Sequence, residues 1–172
     1  MIRSLLVILV PLVIITVLFT NLPQDHPVKE VDWRPVLTTA RTEAPYPVLA
    51  PVNLPEGWRP TRVNWVKQGN PGLNGQPSPR NYWQLGFLTP DEVYIALSQG
   101  DQQVDDMVKD DTRAGVADGE STVNGSTWRR VVSPDGRTRS LVLTQPQVTS
   151  VVSSDLPYEA LDSYAATLSS SG

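Results

Sequence analysis

Carboxylates are the residues of this chain with the most chemistry to offer. Residues 91–120 hold nine acids: Asp91, Glu92, Asp101, Asp105, Asp106, Asp110, Asp111, Asp118 and Glu120. Only Lys109 and Arg113 oppose them, which leaves a net charge of −7. A calcium loop would place its acids at alternate positions, with a glycine and a terminal glutamate. Here Asp105-Asp106 and Asp110-Asp111 fall at helical spacing instead, which argues against calcium. A hydrolase working by paired carboxylates needs two acids converging on one bond from different sides. These acids crowd a single predicted helix, so that reading ranks last. A docking face for a basic partner needs only exposed, uncompensated negative charge. The bland alternative is a solvated helix surface. The expected partner-binding residues are therefore Asp101, Asp105, Asp106, Asp110 and Asp111, joined by an apolar pair, Trp33 and Leu37.

Other chemistries lack their residues. The sequence has no cysteine and one histidine, His26. Thiol catalysis and cysteine-ligated metals are excluded, and zinc or haem ligation has too few ligands. A serine triad needs a histidine inside a folded site, whereas His26 stands close to the apolar amino-terminal run. No cofactor, no metal and no enzymatic activity are expected. The net charge is −4, and −5 beyond Arg3, which disfavours nucleic acid as a partner. Arg129, Arg130, Arg137 and Arg139 form a smaller basic group, with Arg129 and Arg139 expected as cross-strand neighbours. Asn124-Gly125-Ser126 fits a glycosylation sequon, but Asn-Gly is also turn chemistry, which suffices. Trp58, Trp65, Trp83 and Trp128 are expected in the core or at its rim.

The elements that would position these residues follow from periodicity. Arg62–Lys67 alternates as a strand, and Gly69–Pro79 is a loop rich in Gly and Pro. Tyr82–Leu88 and Val93–Leu97 form an expected antiparallel hairpin. Residues 101–113 predict a short helix on Val104, Met107 and Val108. Asp118-Gly119, Asn124-Gly125 and Asp135-Gly136 are three hairpin-type turns. Around them Thr127–Val132, Thr138–Thr144 and Val148–Ser153 make a meander. Leu161, Tyr164, Ala165 and Leu168 mark a closing amphipathic helix after Pro157. The expected fold class is α+β: an antiparallel sheet of five to six strands packed by two helices.

Ahead of that domain, Ser4–Gln24 is uncharged, and its 21 residues span about 30 Å as a helix, one bilayer core. A small-x-small cleavage site is missing, so a retained signal-anchor is favoured over a cleaved signal peptide. Arg3 on one side and Asp25 onward on the other put the amino terminus inside and the rest outside the cytoplasmic membrane. Residues 23–60 carry eight of the sixteen prolines, which argues against a long helix or central strand. The expected organisation is an anchor over 1–24, a Pro-rich stalk or partner-packing segment over 25–60, and an extracytoplasmic α+β domain over 61–172. A plain spacer needs no Trp33, so packing on a partner or on the domain is preferred to a bare stalk.

Several motifs act together: Val31-Asp32-Trp33-Arg34-Pro35-Val36, Pro45–Pro51, Leu54–Thr61, Trp83–Pro90 and Asn124-Gly125-Ser126-Thr127-Trp128. With them the chain resembles the actinobacterial single-pass membrane proteins that carry the domain of unknown function 4245. The resemblance runs from the anchor to the last helix. It implies a cell-envelope protein with its domain outside, and it implies no activity.

The function expected is that of a non-catalytic accessory subunit of a larger membrane complex in the cell envelope, a respiratory-chain assembly being one candidate. Its partners would be other membrane-protein subunits and a basic extracytoplasmic protein. The alternative is a tethered domain that binds a small envelope ligand, lipid or glycan. A deep apolar pocket in the sheet would favour the alternative, and a filled core would count against it.

Overall fold

A computed structural model describes residues 29–72 and 74–171. The uncharged run and His26 lie outside these residues. Among the described residues no helix is long and apolar enough to cross a membrane.

Seven strands form one antiparallel sheet: β2 (Arg59–Val66), β3 (Tyr82–Leu88), β4 (Tyr94–Gly100), β5 (Val116–Val123), β6 (Ser126–Val132), β7 (Arg139–Thr144) and β8 (Thr149–Ser154). Their order is β2-β3-β4-β8-β7-β6-β5, and every neighbouring pair is antiparallel. Among the described residues three helices join it: α1 (Arg34–Glu43), α2 (Val104–Asp111) and α3 (Tyr158–Ala166). A two-residue pair, β1 (Ala50–Pro51) with β9 (Leu168–Ser169), stands apart from the main sheet. The α+β class holds, but the sheet has seven strands where five to six were expected, and three helices pack where two were.

The extra strand is β5. Its sequence, VADGESTV, hides it because Asp118-Gly119 is turn chemistry. The structure uses that dipeptide as a bulge: the register shifts between Ala117 and Glu120, and Gly119 takes φ +97°. Asn124 and Gly125, both at positive φ, do make the tight turn expected of them.

Alternation along the strands sorts side chains onto two faces. On one face Trp83, Leu85, Phe87, Ile95, Leu97, Trp128, Leu141 and Val152 are buried beneath α1 and α3. There Trp33 meets Phe87 edge-on at 6.2 Å, and Trp58 stacks on Tyr164 at 5.5 Å. The opposite face carries α2, with Met107 packed among Val131, Val142 and Val151.

The described part of the segment read as a stalk or packing segment packs on the domain itself, on the first face. The Val31 amide donates to the Pro60 carbonyl at 2.9 Å, so the domain takes in residues well before Thr61. Leu37 and Ala40 of α1, and Tyr46, Val48 and Ala50 after it, are all buried. Pro35 sits in the first turn of α1, where a proline costs no hydrogen bond. Beyond α1 the chain runs extended across the sheet. The Trp83 indole donates to the Leu49 carbonyl at 3.0 Å, and the Leu49 amide donates to Gln99 Oε1 at 2.7 Å. Side chains thus supply the partners that a neighbouring strand would have supplied. Proline-rich sequence forbids a central strand, but it permits this.

Candidate functional site

Helix α2 decides where the acids go. Val104, Met107, Val108 and Asp111 stand at i, i+3, i+4 and i+7, one stripe of the helix. The first three pack against the sheet, so the fourth is turned the same way. A carboxyl therefore occupies the end of an apolar stripe. Asp111 is half-buried, and its Oδ2 has no hydrogen-bond partner. Burial raises its pKa to about 6, and neighbouring Asp110 adds to the rise. Hydrogen bonding to Ser98 and the charge of Arg80 oppose it.

The second wall is the loop between β2 and β3. The Gly69 amide donates to the Ser78 carbonyl at 2.9 Å, and the Ser78 amide to the Asn70 carbonyl at 2.8 Å. Asn81 pins its base: its Oδ1 accepts from the Gln68 amide at 3.0 Å, while its backbone and side-chain nitrogens donate to Asp101 at 2.9 and 2.6 Å. Between this loop, the face of β2 and β3, and α2 lies a groove of about 370 Å³. Asn64, Arg80, Tyr82, Met107, Asp110 and Asp111 line it, with Val66, Pro77 and Pro79. Three of its lining groups, Asn64 Nδ2, Arg80 Nε and Asp111 Oδ2, are buried without a partner.

The expected site residues therefore separate. Trp33 and Leu37 fill the domain's own core and are not presented to a partner. Asp101 is spent on Asn81. Asp111 turns inward. Asp105, Asp106 and Asp110 remain exposed on α2, and among the described residues no salt bridge joins any of them. Asp105 and Asp106 in the first turn also suit the helix dipole. No group of three or more His, Cys, Asp or Glu able to hold a metal ion occurs among the described residues.

Arg129 and Arg139 are not cross-strand neighbours: Arg129 pairs with Val142, and Arg139 with Val132. Instead Arg130 and Arg139 lie 4.6 and 6.0 Å from the centre of the Tyr158 ring. Arg130 also donates to Ser121 at 2.7 Å and pairs with Asp162 at 3.0 Å. Much of the basic group is thus spent inside the fold. Asn64, Arg80 and Tyr82 escaped the sequence reading. Alternation about Trp65 puts Asn64 on the face away from the main core, but nothing in β2 announces that α2 and a loop will wall that face.

The raised pKa of Asp111 gives a pH prediction. An acid whose folded pKa exceeds its unfolded value of 3.8 favours the folded state when protonated. Stability from this group is present below about pH 4 and lost as the pH rises through 6. Asp111→Asn is expected to raise the unfolding free energy by about 1–3 kcal/mol at pH 7.5, with the gap closing below pH 4. Urea unfolding of both proteins at the two pH values measures it. A gap that persists at low pH would mean the gain comes from something other than the charge.

The family model described as "Protein of unknown function (DUF4245)" matches residues 1–168. No curated protein matches the chain.

Proposed function

The chain belongs to the DUF4245 family of proteins of unknown function, and we propose that it is a non-catalytic accessory subunit of a larger membrane complex. In this reading one helix over residues 1–24 holds it in the cytoplasmic membrane. The domain stands outside and docks a basic partner through the outer face of α2. The observation that carries the reading is the exposed, unpaired set Asp105, Asp106 and Asp110 on one short helix. Such charge steers a basic protein at a range set by ionic strength. The two acids that reach the groove, Asp110 and Asp111, are consecutive on one helix. They do not converge from different elements as a hydrolytic pair would. The core of the first face is filled with side chains, which speaks against an acyl chain held there.

The test is recovery of the tagged full-length protein in mild detergent, followed by mass spectrometry, beside the D105N/D106N/D110N variant. The expected result is a stoichiometric membrane complex at low salt, reduced at least about tenfold by the variant or by salt near 1 M. The substitutions are exposed, so the variant should fold normally. Equal recovery with and without the three charges sinks the docking face.

A further inference from the structure

We infer that the groove between α2 and the 69–80 loop is a binding site for a neutral, hydroxyl-rich ligand: the end of a glycan, one or two sugar residues long. This goes beyond docking by the outer face of α2: the groove lies along the inner edge of that helix, and Asp110 is the one member of the exposed set that also borders it.

The first observation is a concentration of unmet hydrogen-bond capacity. Seven buried side-chain polar atoms lack a partner among the described residues, and three of them line this one groove. Buried polar groups are normally paired, so a ligand entering the groove supplies the partners that these three lack. The three do not ask for the same thing. Asn64 Nδ2 and Arg80 Nε are donors and need acceptors. Asp111 Oδ2 needs a donor.

That mixture narrows the ligand class. An anion would suit Arg80 but would meet Asp110 and Asp111. A cation would suit the acids but would meet Arg80. An acyl chain would satisfy none of the three. A hydroxyl both donates and accepts, and vicinal hydroxyls match planar Asn, Asp and Arg side chains. The remaining lining gives C–H faces a surface: the Tyr82 ring, Met107, Val66, Pro77 and Pro79. The volume, about 370 Å³, lies at the small end of ligand pockets.

The experiment is side-chain-resolved ¹H–¹⁵N NMR on the full chain in a sugar-free zwitterionic detergent. It is titrated in turn with maltose, cellobiose and lactose, then with inorganic phosphate, then with an N-acetylated dipeptide amide. The expected result is saturable movement of the Asn64 Nδ2 and Arg80 Nε signals with at least one disaccharide, at a Kd of about 0.1–10 mM. Asn64→Ala should weaken that disaccharide about tenfold while the near-ultraviolet spectrum of the tryptophans is unchanged. No movement of either signal with any disaccharide overturns the inference. So does movement with phosphate alone, which makes the groove an anion site. Movement with the dipeptide alone makes it a peptide groove and also overturns it. The titrations use the parent protein, so a variant that failed to fold would not rescue the idea.

Discussion

A truncated chain that begins at Thr61 is expected not to fold. The sequence suggests that boundary, since alternation starts there and the prolines thin out. The structure puts Trp33, Leu37, Ala40, Tyr46, Val48 and Ala50 among the buried core on the far side of it. Removing them uncovers Trp83, Leu85 and Phe87, which are otherwise fully buried. The four larger side chains lost are each worth about 1.5–3 kcal/mol on burial, roughly 6–12 kcal/mol together. The whole stability of a domain this size is about 5–15 kcal/mol. Lost hydrogen bonds at Trp83 and Gln99 widen the deficit. The measurement is a thermal melt followed by near-ultraviolet circular dichroism, on chains beginning at Lys29 and at Thr61. The longer chain should melt cooperatively, and the shorter should show no tryptophan signal to lose. A cooperative melt of the shorter chain would restore the stalk.

The second large effect comes from one fully buried polar side chain. Gln99 sits at the centre of the sheet, on the face that α1 and the extended segment cover. Its Oε1 accepts from the Leu49 amide at 2.7 Å, and its Nε2 donates to the Pro47 carbonyl at 3.3 Å and to Ser150 Oγ at 3.1 Å. Gln99→Leu keeps the volume and takes the partner from the buried Ser150 hydroxyl, at about 1–3 kcal/mol, and at a smaller cost from the half-buried Leu49 amide and the carbonyl of exposed Pro47. The added apolar burial returns part of this, and the net loss expected is about 2–4 kcal/mol. Denaturant unfolding gives the total. Hydrogen exchange gives the place: the Leu49 amide should lose protection before the amides of β7 and β8 do. A loss under about 1 kcal/mol would show that the extended segment is held by its apolar contacts alone.

These two predictions mark where the chain was readable and where it was not. The β3–β4 hairpin, the Asn124-Gly125 turn and the α3 stripe of Leu161, Tyr164 and Ala165 are local patterns, and each is present; Leu168, expected on the same stripe, lies past the helix end in β9 and pairs with Pro51 instead. Strand β5 failed because Asp-Gly has two uses, a turn and a bulge, and only the neighbouring strand decides between them. The extended segment was legible as packing on a partner or on the domain, but which of the two was not. Its partners, Trp83, Gln99 and Pro60, come from strands of the main sheet, and composition carries no address for them. The site divides the same way. Asp105, Asp106 and Asp110 are exposed as expected, because exposure follows helical phase. Asp111 was misread as surface although the same phase points it inward, because an acid at the end of an apolar stripe contradicts the pattern. Asn64 and Arg80 matter through the groove they share, and a groove is a property of the assembled fold.

The small ladder between β1 and β9 has a consequence in time. Ala50 pairs with Ser169, and Pro51 with Leu168, partners 119 and 117 residues apart along the chain. At a synthesis rate of about 5–20 residues per second, the first strand waits roughly 6–24 s for its partner to be made. Strand β4 waits in the same way for β8, the middle strand of the sheet. During that interval Trp83, Leu85 and Phe87 exist without their full cover. Such a chain cannot fold piece by piece as it emerges. It has to be kept from aggregating until nearly its last residues arrive, and then it closes in one late step.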